Sequence, residues 1–189
     1  MPAACYALCV HRLTLIGYRA CGKSTVGRLV AARLGFPFID ADAAVEVDLG
    51  MPIRQYFAEH GEAAFRDAES KTLERLLTSN RALILATGGG AVLRETNRSL
   101  MQANGGVIVY LHAPVEVLQA RLCRSSGRRP SLTGASVTDE VPVLLAQREP
   151  LYRSLAATVL DATAPTNVVA DQLCALMLAA PGNRSADHV

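Results

Sequence analysis

Three apolar runs stand out from an otherwise mixed chain: Leu13-Thr14-Leu15-Ile16, Leu83-Ile84-Leu85-Ala86 and Val107-Ile108-Val109-Tyr110-Leu111. They are continuous rather than alternating, which suits strands buried on both faces in a parallel sheet covered by helices. Phe36 to Ile39 and Thr158 to Leu160 are weaker strand candidates. Between the strands the apolar period lengthens. Val26, Leu29, Val30 and Leu34 share one helix face, as do Leu73, Leu76 and Leu77, and later Val169, Leu173 and Leu176. Gly35 and Pro37 close the first of these helices as C-cap and breaker. Strand and helix alternate throughout, which predicts an α/β domain with a mainly parallel sheet. One segment departs from both periods: Arg124 to Thr138 is rich in Arg, Ser and Gly, contains Pro130, and is expected to be a long mobile loop of functional use.

A chain of 189 residues is the size of one domain, expected over residues 1–180 with a frayed tail over 181–189. Half the residues are hydrophobic and 19% are charged, which supports a substantial core and excludes wholesale disorder. A net charge of +2 and only 5% aromatic residues argue against nucleic acid as a partner. The apolar runs fall far short of the roughly 20 residues that span a bilayer. Five scattered cysteines and four scattered histidines give neither a disulfide framework nor metal-ligand spacing. Met1 to Val10 lacks the basic start of a secretory signal. A cytoplasmic protein, monomeric and without a membrane partner, is the expectation.

Candidate chemistry begins at Gly17-Tyr18-Arg19-Ala20-Cys21-Gly22-Lys23-Ser24, a match to G-x-x-x-x-G-K-[ST] placed after a strand and before a helix. Its glycines let backbone N–H groups turn inward, and the helix N-terminus adds positive potential. Lys23 can then reach β- and γ-phosphates, and the Ser24 hydroxyl can join a Mg²⁺ shell. The chain has only two lysines against 17 arginines, and one falls here. ATP or GTP binding follows.

Three further clusters bear on the acceptor. Phe38-Ile39-Asp40-Ala41-Asp42 ends the second strand with two acids, which in an extended segment face the same way, at the carboxyl end where open α/β sheets bind ligands. One could hold a metal-bound water and the other accept a proton from an attacking hydroxyl; alternatively, either acid could simply cap the next helix. Thr87-Gly88-Gly89-Gly90 follows the third strand and leaves room for close approach of a ligand. Arg66 stands three residues before Glu69 on a helix, and Arg148 precedes Glu149 and Pro150 near the end of another. Arg128 and Arg129 lie in the mobile segment. Guanidinium groups bind carboxylates bidentately and stabilise a transferring phosphoryl group; taken alone, each of these arginines reads equally as a solvated surface cation, since 17 arginines single none out by number.

GYRACGKSTVGRLVA, FIDAD, FRDAES, LATGGGAV, RRPSLTG and REPLYRSLA, in that order and spread over residues 13 to 177, resemble the shikimate kinases. The resemblance implies a three-layer P-loop kinase fold, a five-stranded parallel sheet of order 2-3-1-4-5 with helices on both faces. It implies transfer of the ATP γ-phosphate to the 3-hydroxyl of shikimate, with Mg²⁺ as cofactor. By the same resemblance Ala20, Cys21, Gly22, Lys23, Ser24 and Thr25 hold ATP, Ser24 binds the metal directly and Asp40 through water. Asp42 orients and deprotonates the hydroxyl, Arg66 and Arg148 clamp the carboxylate, and Gly88, Gly89 and Gly90 line the pocket. Residues 43–70 form the substrate-binding region and residues 124–138 the lid. Arg129, or its neighbour Arg128, is the lid arginine on the ATP phosphates. The chain departs from the family at Ala20, where glycine is common, and residues 161–166 match too weakly to assign a contact to adenine. A gluconate kinase-like enzyme and a silent nucleotide-binding regulator are the rival readings; the acid at 42 and the two clamp arginines disfavour the second.

Overall fold

The three continuous apolar runs become the middle of the sheet. In the computed structural model, which describes residues 12–79, 81–124 and 139–179, β1 (Arg12–Ile16) lies between β3 (Leu83–Ala86) and β4 (Val107–His112), with both pairings parallel. The weaker candidates, β2 (Phe38–Asp40) and β5 (Thr158–Asp161), close the two edges, so the order is β2-β3-β1-β4-β5, as expected. β1 and β3 are buried along their whole length, whereas β5 alternates half-buried and exposed residues. A strand with one neighbour needs fewer apolar residues, which is why the edge strands gave the fainter signal.

The remaining elements are a 3-10 turn (Ala91–Leu93) and the helices α1 (Lys23–Leu34), α2 (Ala41–Leu49), α3 (Ile53–Thr78), α4 (Glu95–Asn104), α5 (Val115–Arg124), α6 (Glu140–Leu155) and α7 (Thr166–Ala179). They cover the sheet, with α1 packed on α7 and β3, and α6 on β4. Leu15, Val30, Ile84, Leu85, Val109 and Leu173 are fully buried between these layers. Parallel register places Leu15 beside Ala86 and Ala86 beside Asp40. The segments leaving β1, β2 and β3 therefore emerge side by side at one end of the sheet.

Three local features differ from expectation. α2 starts immediately after β2, so Asp42 lies in a helical first turn and not in an extended segment. α6 continues through Pro150 to Leu155, which puts Arg148 inside the helix rather than near its end. The proline removes one N–H from the ladder, but buried Tyr152 and Leu155 hold the last turn on the core. α5 keeps Arg124 as its last residue. The rest of the expected lid, with Arg128 and Arg129, lies outside the described residues, as does the tail over 181–189. Within α3, Gly61 (φ 79°, ψ 176°) joins two helical pieces.

Arg12 opens β1 at only 5% exposure. Its guanidinium donates to the carbonyls of Leu77 (2.6 Å), Ser79 (2.5 Å), Arg81 (3.2 Å) and Asn104 (2.5 Å). These are carbonyls at or just past the ends of α3 and α4, where intrahelical donors run out and the helix dipole is negative. Burial pulls the Arg12 pKa below the usual arginine value, and helix ends supply the compensating negative potential. Arg12→Met is expected to lower stability by about 3 kcal/mol, the scale of one or two charge-assisted bonds. Urea unfolding checks this; an unchanged midpoint would rule the strut out.

Candidate active site

The segment from Gly17 to Gly22 carries the chain from β1 into α1. Gly17 (φ 142°) and Gly22 (φ 104°) have positive φ, and a Cβ on Gly17 would stand 2.7 Å from the Leu111 carbonyl oxygen. Ala20 adopts φ 65°, the sole positive-φ non-glycine among the described residues. The alanine thus takes the left-handed conformation a glycine would adopt freely, at a cost of about 1–2 kcal/mol. α1 has no side-chain cap at Gly22 and no acid in its first turn, so its N-terminal N–H groups remain available to an anion. Lys23 is 8% exposed, and its ammonium donates to the carbonyls of Gly17 (2.7 Å) and Tyr18 (3.0 Å) and approaches Cys21 Sγ at 3.7 Å. The positive charge is held inside the loop.

Asp40 serves two elements with two oxygens. Oδ2 accepts from Ser24 Oγ at 2.5 Å, and Oδ1 accepts from the Asp42 backbone N–H at 3.1 Å, capping α2. The capping and metal-site readings of this acid are therefore compatible. Asp42 reaches the glycine triplet from the helix instead of from an extended strand. A Cβ on Gly88 would lie 2.7 Å from Asp42 Oδ1 and 2.6 Å from Glu69 Oε1.

At Gly89 the neighbours are backbone instead: a Cβ there would stand 3.2 Å from Arg19 N and 3.5 Å from the Gly17 carbonyl oxygen. Thr87 is fastened to β1 through the Leu15 carbonyl, which accepts from its N–H (3.0 Å) and its hydroxyl (3.2 Å). The Gly89 carbonyl accepts from Tyr152 Oη at 2.5 Å. A Cβ on Gly90 would fall 2.5 Å from both terminal nitrogens of Arg66. The room left by Gly88 and Gly90 is thus taken by the side chains of Asp42, Glu69 and Arg66, and that left by Gly89 by the backbone of the phosphate loop, a packing role that the sequence did not disclose.

The two arginines expected to clamp a carboxylate differ in their counter-ions. Arg66 binds Glu69 at 2.8 Å, the i, i+3 pair expected, and Glu62 at 3.3 Å. Burial pulls its pKa down, but Glu69 and Glu62 outweigh this and hold it above the usual value. Arg148 is 5% exposed and has no acidic partner among the described residues; its Nε is buried without a hydrogen bond. A buried guanidinium without an acid is a ready receptor for a carboxylate.

Beside the phosphate loop lies a cavity of about 250 Å³ lined by Ala20, Cys21, Gly22, Thr25, Val26, Arg121, Ala162, Ala164, Thr166 and Val169. Arg121 donates to Ala162 O at 2.7 Å and to Cys21 O at 3.3 Å, tying the loop to the turn after β5. Sequence reasoning missed this residue. Its partners are about a hundred and about forty positions away, and the one local hint is its place in the last turn of α5, where a cation suits the helix dipole.

A family model for shikimate kinase matches residues 19–177. A shikimate kinase of Nitratidesulfovibrio vulgaris is 48% identical over 170 residues, covering 89% of this chain and 96% of that protein. Shikimate kinase 2 of Pectobacterium carotovorum subsp. carotovorum is 43% identical over 173 residues, covering 90% and 98%. Among solved structures, the shikimate kinase of Acinetobacter baumannii in complex with shikimate superposes with a TM-score of 0.81 at 35% identity, covering 88% of this chain and 92% of that one. With a phosphate loop, a 2-3-1-4-5 sheet and these relatives, the chain belongs to the shikimate kinase family.

Proposed function

We propose that the protein transfers the γ-phosphoryl group of ATP to the 3-hydroxyl of shikimate, yielding shikimate 3-phosphate and ADP. The observation that carries this reading is a convergence on one glycine triplet: Asp42 at Gly88, the Arg66 guanidinium at Gly90, and Arg148, buried with no acid among the described residues, one turn before the tyrosine that binds Gly89. In this reading the loop from Ala20 to Thr25 and the α1 N-terminus cradle the phosphates, and the Lys23 ammonium turns from loop carbonyls to phosphate oxygens. The cavity beside Arg121 takes the nucleobase. Asp42 accepts the proton of the attacking hydroxyl, and Arg66 and Arg148 hold the ring carboxylate. Arg129 of the lid closes on the phosphates. The enzyme works as a cytoplasmic monomer; among the described residues no helix is long and apolar enough to cross a membrane.

Ser24 Oγ and Asp40 Oδ2, 2.5 Å apart, offer the hard oxygen donors that Mg²⁺ prefers, so the donor set fits that ion. Ser24 would ligate it directly and Asp40 through water. When bound, Mg²⁺ neutralises charge on the β- and γ-phosphates.

The test is ADP release from ATP, Mg²⁺ and shikimate by the purified protein, with gluconate as the comparison acceptor. Release with gluconate and none with shikimate would reject the reading. Arg148→Ala is expected to raise the KM for shikimate by about 30- to 100-fold, the worth of a desolvated charge-assisted pair. The change in kcat is expected to be smaller, because the carboxylate contact exists before and during transfer. Steady-state kinetics in shikimate check both.

A further inference from the structure

Tyr18 occupies a position that the phosphate-loop pattern leaves open, and holding phosphates asks for no aromatic there. Its ring is nevertheless 1% exposed, and the Arg148 guanidinium carbon lies 5.7 Å from the ring centroid. Arg66, in the same site, is held by two acids; Arg148 has none among the described residues. Arg19 lies 5.8 Å from the same ring but carries Glu140 as its counter-ion. The α6 backbone around Arg148 is fixed by Tyr152, which stacks on Tyr110 at 5.0 Å and binds Gly89. That leaves the orientation of the Arg148 head group to be set, and the Tyr18 ring is what it meets. An aromatic face attracts a cation through its quadrupole without presenting an anion. It can keep a guanidinium buried while leaving its N–H donors uncommitted, whereas an acid at this position would occupy them.

We propose that Tyr18 is a positioning residue for the acceptor: its ring face holds Arg148 in the orientation that receives the shikimate carboxylate. This rests on the reading of Arg148 as a carboxylate clamp. The experiment replaces Tyr18 with phenylalanine and with its mono-, di- and trifluorinated analogues, which drain the ring quadrupole while nearly preserving shape. The KM for shikimate is expected to climb stepwise along the series, by about three- to tenfold in all, with the rise falling on that KM rather than on kcat or the KM for ATP. In an Arg148→Ala background the series is expected to be flat. A flat series with Arg148 present, or an equal climb without it, overturns the role of Tyr18. A KM for ATP that climbs in parallel also overturns it, because Tyr18 would then act through the shape of the loop. Arg148→Ala with an unchanged KM for shikimate rejects the clamp itself, so the two failures are told apart.

Discussion

Asp42→Asn is expected to lower kcat by about two to four orders of magnitude, the usual contribution of a positioned general base. The carboxylate stands at the first turn of α2, within reach of the space over Gly88, and Asn preserves its shape while removing its basicity. Asp42 is exposed and on the surface of its helix, so the substitution disturbs no core packing. Melting temperature and ATP affinity should therefore stay close to those of the parent while coupled ADP release collapses. Phosphoryl transfer relies on positioning and charge neutralisation more than on covalent chemistry, which is why a residual rate from the phosphate loop and the arginines should remain measurable. Near-normal turnover in Asp42→Asn would remove this acid from proton transfer and leave it an orienting contact at most.

What could be read from the chain beforehand sorts by the range of the forces involved. β1 and its loop were legible because both signals are local: an apolar run buried on two faces, then glycines at fixed spacing before Lys23. The edge strands were fainter because one flank of each faces no neighbour. The i, i+2 rule for strands puts Asp42 on an extended segment, but β2 ends two residues before it, at Asp40. Asp40, accepting the Asp42 N–H, starts the helix at once, and the competing cap signal won. Pro150 suggested a helix end, but tertiary anchoring by Tyr152 outweighs one lost backbone bond. Arg121 and Arg12 were invisible for a different reason. Each satisfies backbone carbonyls brought near only by the finished sheet, and no periodicity encodes such a partner. The glycine triplet reads as a binding loop, yet the side chains that contact it come from three helices and can be located only in three dimensions.

Lys23→Ala is expected to lower kcat by about three orders of magnitude, comparable to deleting a preorganised donor at developing charge. The structure adds a second consequence. The ammonium bonds to the carbonyls of Gly17 and Tyr18, so its loss removes both the charge proposed to meet the transferring group and a brace across the loop. These effects separate by measurement. If charge dominates, ATP still binds to Lys23→Ala, because the backbone N–H groups of the loop and the open N-terminus of α1 remain; calorimetric titration with ATP should then show binding without turnover. If the brace dominates, ATP binding and turnover fall together. Lys23→Arg sharpens the comparison, since it keeps the charge but replaces a compact ammonium with a planar fork too wide for the same two carbonyls. Failure of Lys23→Arg to recover turnover, with ATP binding retained, would show that the placement of the charge inside the loop governs the rate as much as its sign.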